Sequence, residues 1–453
     1  MALQFIDQSI SGIGHSDRRI IRSHVMRGKN AGKQRRSTKK QKNILEPKSL
    51  LHAPGSGYTI PRQVLWSDLC VTSFPEELSS QSMGLMHRWF FDISDTLFPP
   101  QFCSKFDIVR SIWVNCILAD EASPLTTRFP DFHSTLAISA SYVDFFQRKP
   151  ATSQKNLHHI SKAYALVNVK LSGPFPVSDS AIAAVVSLAI YQQIHHQPAI
   201  GIVHLHGLYR MIQLRGGIDK VMQENRSLAM KPLRLDVELA MQNGTPTLFR
   251  SNEVPIRSIL CDSIASGPSP TASSWMPLIM LDLLNFANLL NAIEKRPESK
   301  LDPLDYTETL LSLLYRLVDV SIPTETPTNP EGLHENVKYL AMLSFMTTLL
   351  PEFTSDGPNF PLLSERLKKA IQDLCIMTSE GADYNSPLML WTFFMSAIST
   401  SNSKDHHWLS NSIATHCRRL GLNNWTAIQQ QLCQFPWIFS LHEAPGRRFW
   451  ENM

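Results

Sequence analysis

DSAIAAVVSLAIYQQI, residues 179–194, decides the fold class. Apolar side chains surround it almost completely, and only Ser187, Gln192 and Gln193 interrupt the run after its acidic start. A helix that is apolar on every side must be covered on every side. It is also shorter than the ~20 apolar residues a bilayer span needs. The stretch therefore predicts a buried central helix sheathed by other helices.

The flanking windows agree with it. HSTLAISASYVDFF (133–146) places Leu136, Ala140, Val143 and Phe146, with Ala137 alongside, on one helical face. Asp305 followed by Glu308 resembles a capping box, with Leu310, Leu314, Leu317 and Val318 at helical spacing behind it. Ser364 is placed to cap a helix carrying Leu367, Ala370, Ile371 and Leu374. Strand-like alternation is scarce, and only 19 of 453 residues are glycine, which leaves few of the turns an all-β chain would need. The expected fold is all-α, a large helical array behind an N-terminal arm. Breaks at Gly173–Pro176, Asn243–Pro246, Gly267–Pro270, Pro297–Pro303 and Pro323–Pro330 divide helices rather than domains. No fixed repeat of about 30–45 residues is present.

Charge divides the chain differently. Residues 1–50 hold twelve Lys/Arg against Asp7, Asp17 and Glu46, a net of +9, while the remainder nets −5. Few large apolar residues accompany that charge, so 1–50 is expected to be a disordered basic arm, with a short helix begun by Ser16 and Asp17 as the one local alternative. Residues 51–78 read as a Pro/Gly-punctuated linker, and 79–453 as the helical region. Within the arm, Arg18, Arg19, Arg22, Arg27, Lys29, Lys33, Arg35, Arg36, Lys39, Lys40 and Lys42 occur with no acidic or aromatic residue among them. Without aromatics, base stacking on single strands is excluded. Gly28 and Gly32, with no core behind them, argue against a rigid element reading base edges. Two basic clusters fit a nuclear-import signal, and contact with DNA phosphates is compatible with it. A purely solvated tail is the remaining reading.

Chemical motifs are mostly missing. No secretory signal is evident in MALQFIDQSI. The second apolar run, Trp275–Ile293, is interrupted by Pro277, Asp282, Asn285, Asn288 and Asn291, so no membrane partner is expected. The seven cysteines are scattered, and the closest pair, Cys103 and Cys116, is far from the C-x2-C spacing that lets two thiolates reach one zinc ion. No metal site, cofactor or phosphate-cradling glycine loop is expected. His87 and Asp92 show the H-x4-D spacing of some acyltransferases, but the apolar HRWFFD setting favours packing. The doublets His158–His159 and His195–His196 and the pair His204 and His206 lack the i,i+4 spacing of helical metal sites. No catalytic residue is assigned and no enzyme is expected.

Five segments, in order, resemble the fungal-specific transcription factor domain, the helical regulatory region usually found downstream of a six-cysteine binuclear zinc cluster. They are FHSTLAISASYVDFF (132–146), HLHGLYRMIQLRGGIDKV (204–221), PLRLDVELAMQNGTPTLF (232–249), LMLWTFFMSAIS (388–399) and FPWIFSLHEAPGRRFW (435–450). The resemblance covers roughly 65–453, and the arm at 18–33 resembles one found on such proteins that lack the zinc cluster. It implies a nuclear regulator of gene expression, with control of a metabolic or secondary-metabolite gene cluster as a common family role. Other transcription regulators, self-association and a small-molecule effector are the implied partners. This chain departs from the family pattern by lacking the six cysteines, so it has no zinc-cluster DNA reader. The alternative is a helical scaffold or accessory protein that does not bind DNA. His204, Gly207, Arg215, Gly216, Gly217, Trp391, Trp437, Gly446 and Trp450 carry the resemblance. Physically, Gly216–Gly217 reads as a left-handed helix terminus, Arg215 as its charge partner, and the tryptophans as core anchors rather than the lining of an effector pocket.

Overall fold

A computed structural model describes residues 84–85, 97–104, 130–146, 154–249, 275–318, 329–350, 360–377, 386–399 and 403–452. All of them lie within the unit Arg62–Met453. The basic arm, the 51–78 linker, the His87/Asp92 pair and the Gly267–Pro270 break fall outside the described residues.

Among the described residues the fold is all-α, as expected. Fourteen helices follow one another: α1 (Pro130–Phe146), α2 (Gln154–Leu171), α3 (Asp179–Ile194), α4 (Pro198–Arg215), α5 (Ile218–Glu224), α6 (Arg226–Asn243), α7 (Trp275–Lys295), α8 (Pro303–Val318), α9 (Pro330–Thr347), α10 (Pro361–Met377), α11 (Pro387–Ser399), α12 (Ser403–Arg419), α13 (Trp425–Leu432) and α14 (Ala444–Glu451). A π-helical turn, Phe439–Glu443, precedes α14. One isolated bridge joins Cys103 to Leu301, and no strand occurs among the described residues. Six helices open on a proline, where the missing N–H removes a donor that would have no partner anyway.

The predicted centre is α3. Ile182, Ala184, Val186 and Ala189 are fully buried, because α1 and α2 cover one side of the helix and α4 and α6 the other. Burying each large apolar side chain stabilises the fold by roughly 1.5–3 kcal/mol. α6 then contacts α8, α8 contacts α7 and α9, and α9 leads to α10 and α11. α11 carries α12, α13 and α14. Contacts run mainly between helices close in sequence, so the array extends along the chain.

Three local expectations shift. α1 is not one-faced: every side chain from His133 to Ser141 is buried, because α2 and α3 cover it together and its small residues allow close approach. α8 begins earlier than the Asp305 start expected. Asp302 receives the amides of Leu304 (2.9 Å) and Asp305 (3.3 Å), while Glu308 faces Arg226 of α6. α10 likewise begins at Pro361, so Ser364 lies in its first turn and its hydroxyl donates to the Phe360 carbonyl. In both helices a proline two or three residues upstream fixes the helical φ first.

α7 is long and apolar enough to cross a membrane by length and composition. Within the array its Leu283, Phe286, Ala287 and Leu290 are fully buried. Its buried Asp282 is paired with Arg316 at 2.6 Å.

Candidate functional site

The residues that carry the family resemblance gather at two joints. The first lies where α3, α4, α5 and α6 meet. α4 ends at Arg215, and Gly216 follows in the left-handed region (φ +113°), with Gly217 also at positive φ (+95°). The Gly217 amide donates to the Ile212 carbonyl at 2.9 Å, closing the helix end, and the chain reverses into α5. Side chains with a Cβ resist that backbone.

Arg215 locks the reversal. Its Nη1 donates to Asp179 in the first turn of α3, and its Nε and Nη2 reach Glu224 Oε2 at 3.0 and 2.6 Å. Asn225 Nδ2 donates to the second Asp179 oxygen at 2.7 Å, while Asn225 Oδ1 caps α6 by accepting the Leu228 amide at 3.0 Å. One guanidinium thus ties the ends of α4 and α5 to the start of α3, and Asn225 carries the link on to the start of α6. Asp179 sits at a positive helix end and Arg215 at a negative one, so both dipoles favour the arrangement. Burial opposes the charge on Arg215, but its hydrogen bonds to Glu224 and Asp179 outweigh it and raise the guanidinium pKa. The two carboxylates are partly exposed, not buried.

A side branch surrounds His204 on α4. Its Nε2 is 3.4 Å from the Tyr164 hydroxyl, which accepts from Gln192 Nε2 at 2.6 Å. Burial lowers the His204 pKa. Gly207 faces open space, so nothing in its surroundings requires a glycine there.

Downstream, Asp236 of α6 extends the joint. It is buried, and its carboxylate receives the amides of Leu248 (2.8 Å) and Phe249 (3.0 Å) and lies 2.9 Å from the Tyr315 hydroxyl.

The second joint is aromatic. Trp391 is fully buried on α11 and donates from Nε1 to the Pro436 carbonyl at 2.9 Å. Phe394 meets Trp425 and Trp437 edge-on. Gly446 lies against both indoles: a Cβ there would stand 3.1 Å from Trp437 and 3.2 Å from Trp425. Trp450 is partly buried against the same core. Asn291 of α7 uses both ends of its amide on this segment, donating to the Trp437 carbonyl at 2.7 Å and accepting the Phe439 amide at 2.9 Å.

His442 is fully buried in the π-helical turn. Its Nδ1 accepts the Ile438 amide at 2.9 Å, so the ring proton sits on Nε2 and is donated to Thr348 Oγ1 at 2.9 Å. Thr348 in turn donates to the Phe345 carbonyl at 2.7 Å. Burial pushes the His442 pKa down to about 3.

The other histidine clusters are structural. His195 Nε2 lies 2.9 Å from Ser141 Oγ, which also lies 2.9 Å from the Ala137 carbonyl and accepts from Asn156 Nδ2 at 2.7 Å. His133 and His159 approach with Nδ1 atoms 3.2 Å apart and ring centroids 5.4 Å apart. Ring centres and nitrogens are thus nearly collinear, as in an N–H···N bond. Two nitrogens chelating one ion would instead converge on it at an angle. Among the described residues no group of three or more His, Cys, Asp or Glu could hold a metal ion.

Asn225 and Asn291 are joint residues that no motif marked, whereas Asp236, His442 and Glu443 lie inside the resembling segments 232–249 and 435–450 but were given no role there. Asn291 did leave a trace, as an amide interrupting an apolar run. Glu443, inside the resembling 435–450 segment, accepts from Trp425 Nε1 and Gln429 Nε2, partners that its place in the motif does not indicate.

The class defined by this fold is an all-helical array whose inward polar side chains serve as ties between helices. No family model matches the chain, and no curated protein or solved structure matches it either.

Proposed function

We propose that the protein is a nuclear regulator of gene expression resembling the fungal-specific transcription factors, with the helical array as its regulatory body and the basic arm as its nuclear-import and phosphate-contacting segment. It lacks a zinc-cluster DNA reader of its own, so promoter contact runs through the arm or through a partner regulator. Control of a metabolic or secondary-metabolite gene cluster follows from the resemblance. The observation that carries the reading is the placement of the resembling residues. Arg215, Gly216, Gly217, Trp391, Trp437 and Gly446 come from segments far apart in sequence, and they stand at the joints of one helical body. Placement at joints supports an architectural role for these residues.

A helical scaffold that never approaches DNA is the second reading. It is favoured by the inward use of the same side chains, since Arg215, Trp391 and Asp236 direct their polar groups at other segments of the body. Chromatin immunoprecipitation of the intact chain separates the two. Enrichment at a restricted set of promoters, with matching transcript changes in a deletion strain, supports the regulator. Nuclear protein with no promoter enrichment and an unchanged transcript profile would overturn it in favour of the scaffold.

A further inference from the structure

We draw no further inference here: the strongest candidate, the exposed apolar side chains at the end of α2 and in the turn after it (Val169, Leu171 and Phe175), is an unpartnered stretch of surface, and nothing in the structure shows what covers it.

Discussion

Asp236 and Phe249 are joined across thirteen residues by a 3.0 Å hydrogen bond from the Phe249 amide to the buried carboxylate. The Leu248 amide and the Tyr315 hydroxyl also reach this carboxylate, so the segment leaving α6 is held against α6 and α8. Asp236→Asn turns one acceptor into an NH2 group facing donors. A loss of about 2–4 kcal/mol is expected, read as a lower urea midpoint with an unchanged slope. A variant as stable as the native chain would show that the carboxylate does not hold this segment.

Arg215 acts through two partners at once by a rigid planar fork, which lysine replaces with a compact point charge on a flexible stem. Arg215→Lys and Arg215→Ala should therefore destabilise to similar extents, about 1 kcal/mol each, because the carboxylates are partly exposed and screened. A double-mutant cycle of Arg215→Lys with Asp179→Asn should give a coupling that shrinks as salt rises. Simple additivity at low salt would contradict the tie between α3 and α4.

Gly216→Ala forces a Cβ onto a backbone with φ +113° and to within 2.9 Å of Lys220 Cδ. The lysine can move, but the backbone cannot relax without unwinding the reversal. A cost of about 1–2 kcal/mol is expected in equilibrium unfolding. Gly207→Ala, facing open space in mid-helix, should be neutral or stabilising by up to about 1 kcal/mol. Equal effects at the two positions would be inconsistent with this assignment.

At the aromatic joint, Gly446→Ala places a methyl 3.1–3.2 Å from two packed indoles. Overpacking of this kind costs about 1–3 kcal/mol. Trp391→Phe keeps much of the volume but leaves the Pro436 carbonyl without its donor, for a loss of about 2–3 kcal/mol. Near-ultraviolet circular dichroism should report both changes, because each alters the surroundings of a packed tryptophan.

His442 gives the fold a pH dependence of defined sign. Its folded pKa of about 3 lies below the ~6.5 of an unfolded histidine, so between these values the unfolded chain binds the extra proton. Stability from this residue is complete above about pH 6.5 and is lost as pH falls toward 3. Between about pH 7 and 5 the native chain should lose about 2 kcal/mol more than His442→Gln, which cannot titrate there. Parallel pH profiles for the two proteins would rule out a neutral buried imidazole.

The basic arm is tested separately from the body. Replacing Lys33, Arg35, Arg36, Lys39, Lys40 and Lys42 by glutamine should abolish nuclear enrichment of a fluorescent fusion and leave the unfolding midpoint unchanged. An unchanged distribution would remove the import role.

The sequence by itself determined the fold class and much of the punctuation. A sixteen-residue apolar run such as Asp179–Ile194 is longer than an ordinary buried strand and can shelter its side chains only by burial, so α3 appears with the bounds its pattern suggested. The Leu-Arg-Gly-Gly run could be read as a left-handed terminus because that backbone is almost forbidden to other residues. Tertiary structure decided the rest, since a side chain's role depends on what lies opposite it. It buried α1 on all its sides from His133 to Ser141, sent Glu308 to Arg226 rather than back to its own helix start, and chose Asp179 and Glu224 as the partners of Arg215. It also turned Asn291, an interruption in an apolar run, into the clamp on a segment 146 residues away. Helical periodicity records only which side of a helix avoids water. Long-range pairing is set by the packing of helices whose order along the chain does not specify their register, and there the partners of Asp236, Asn291 and His442 were decided.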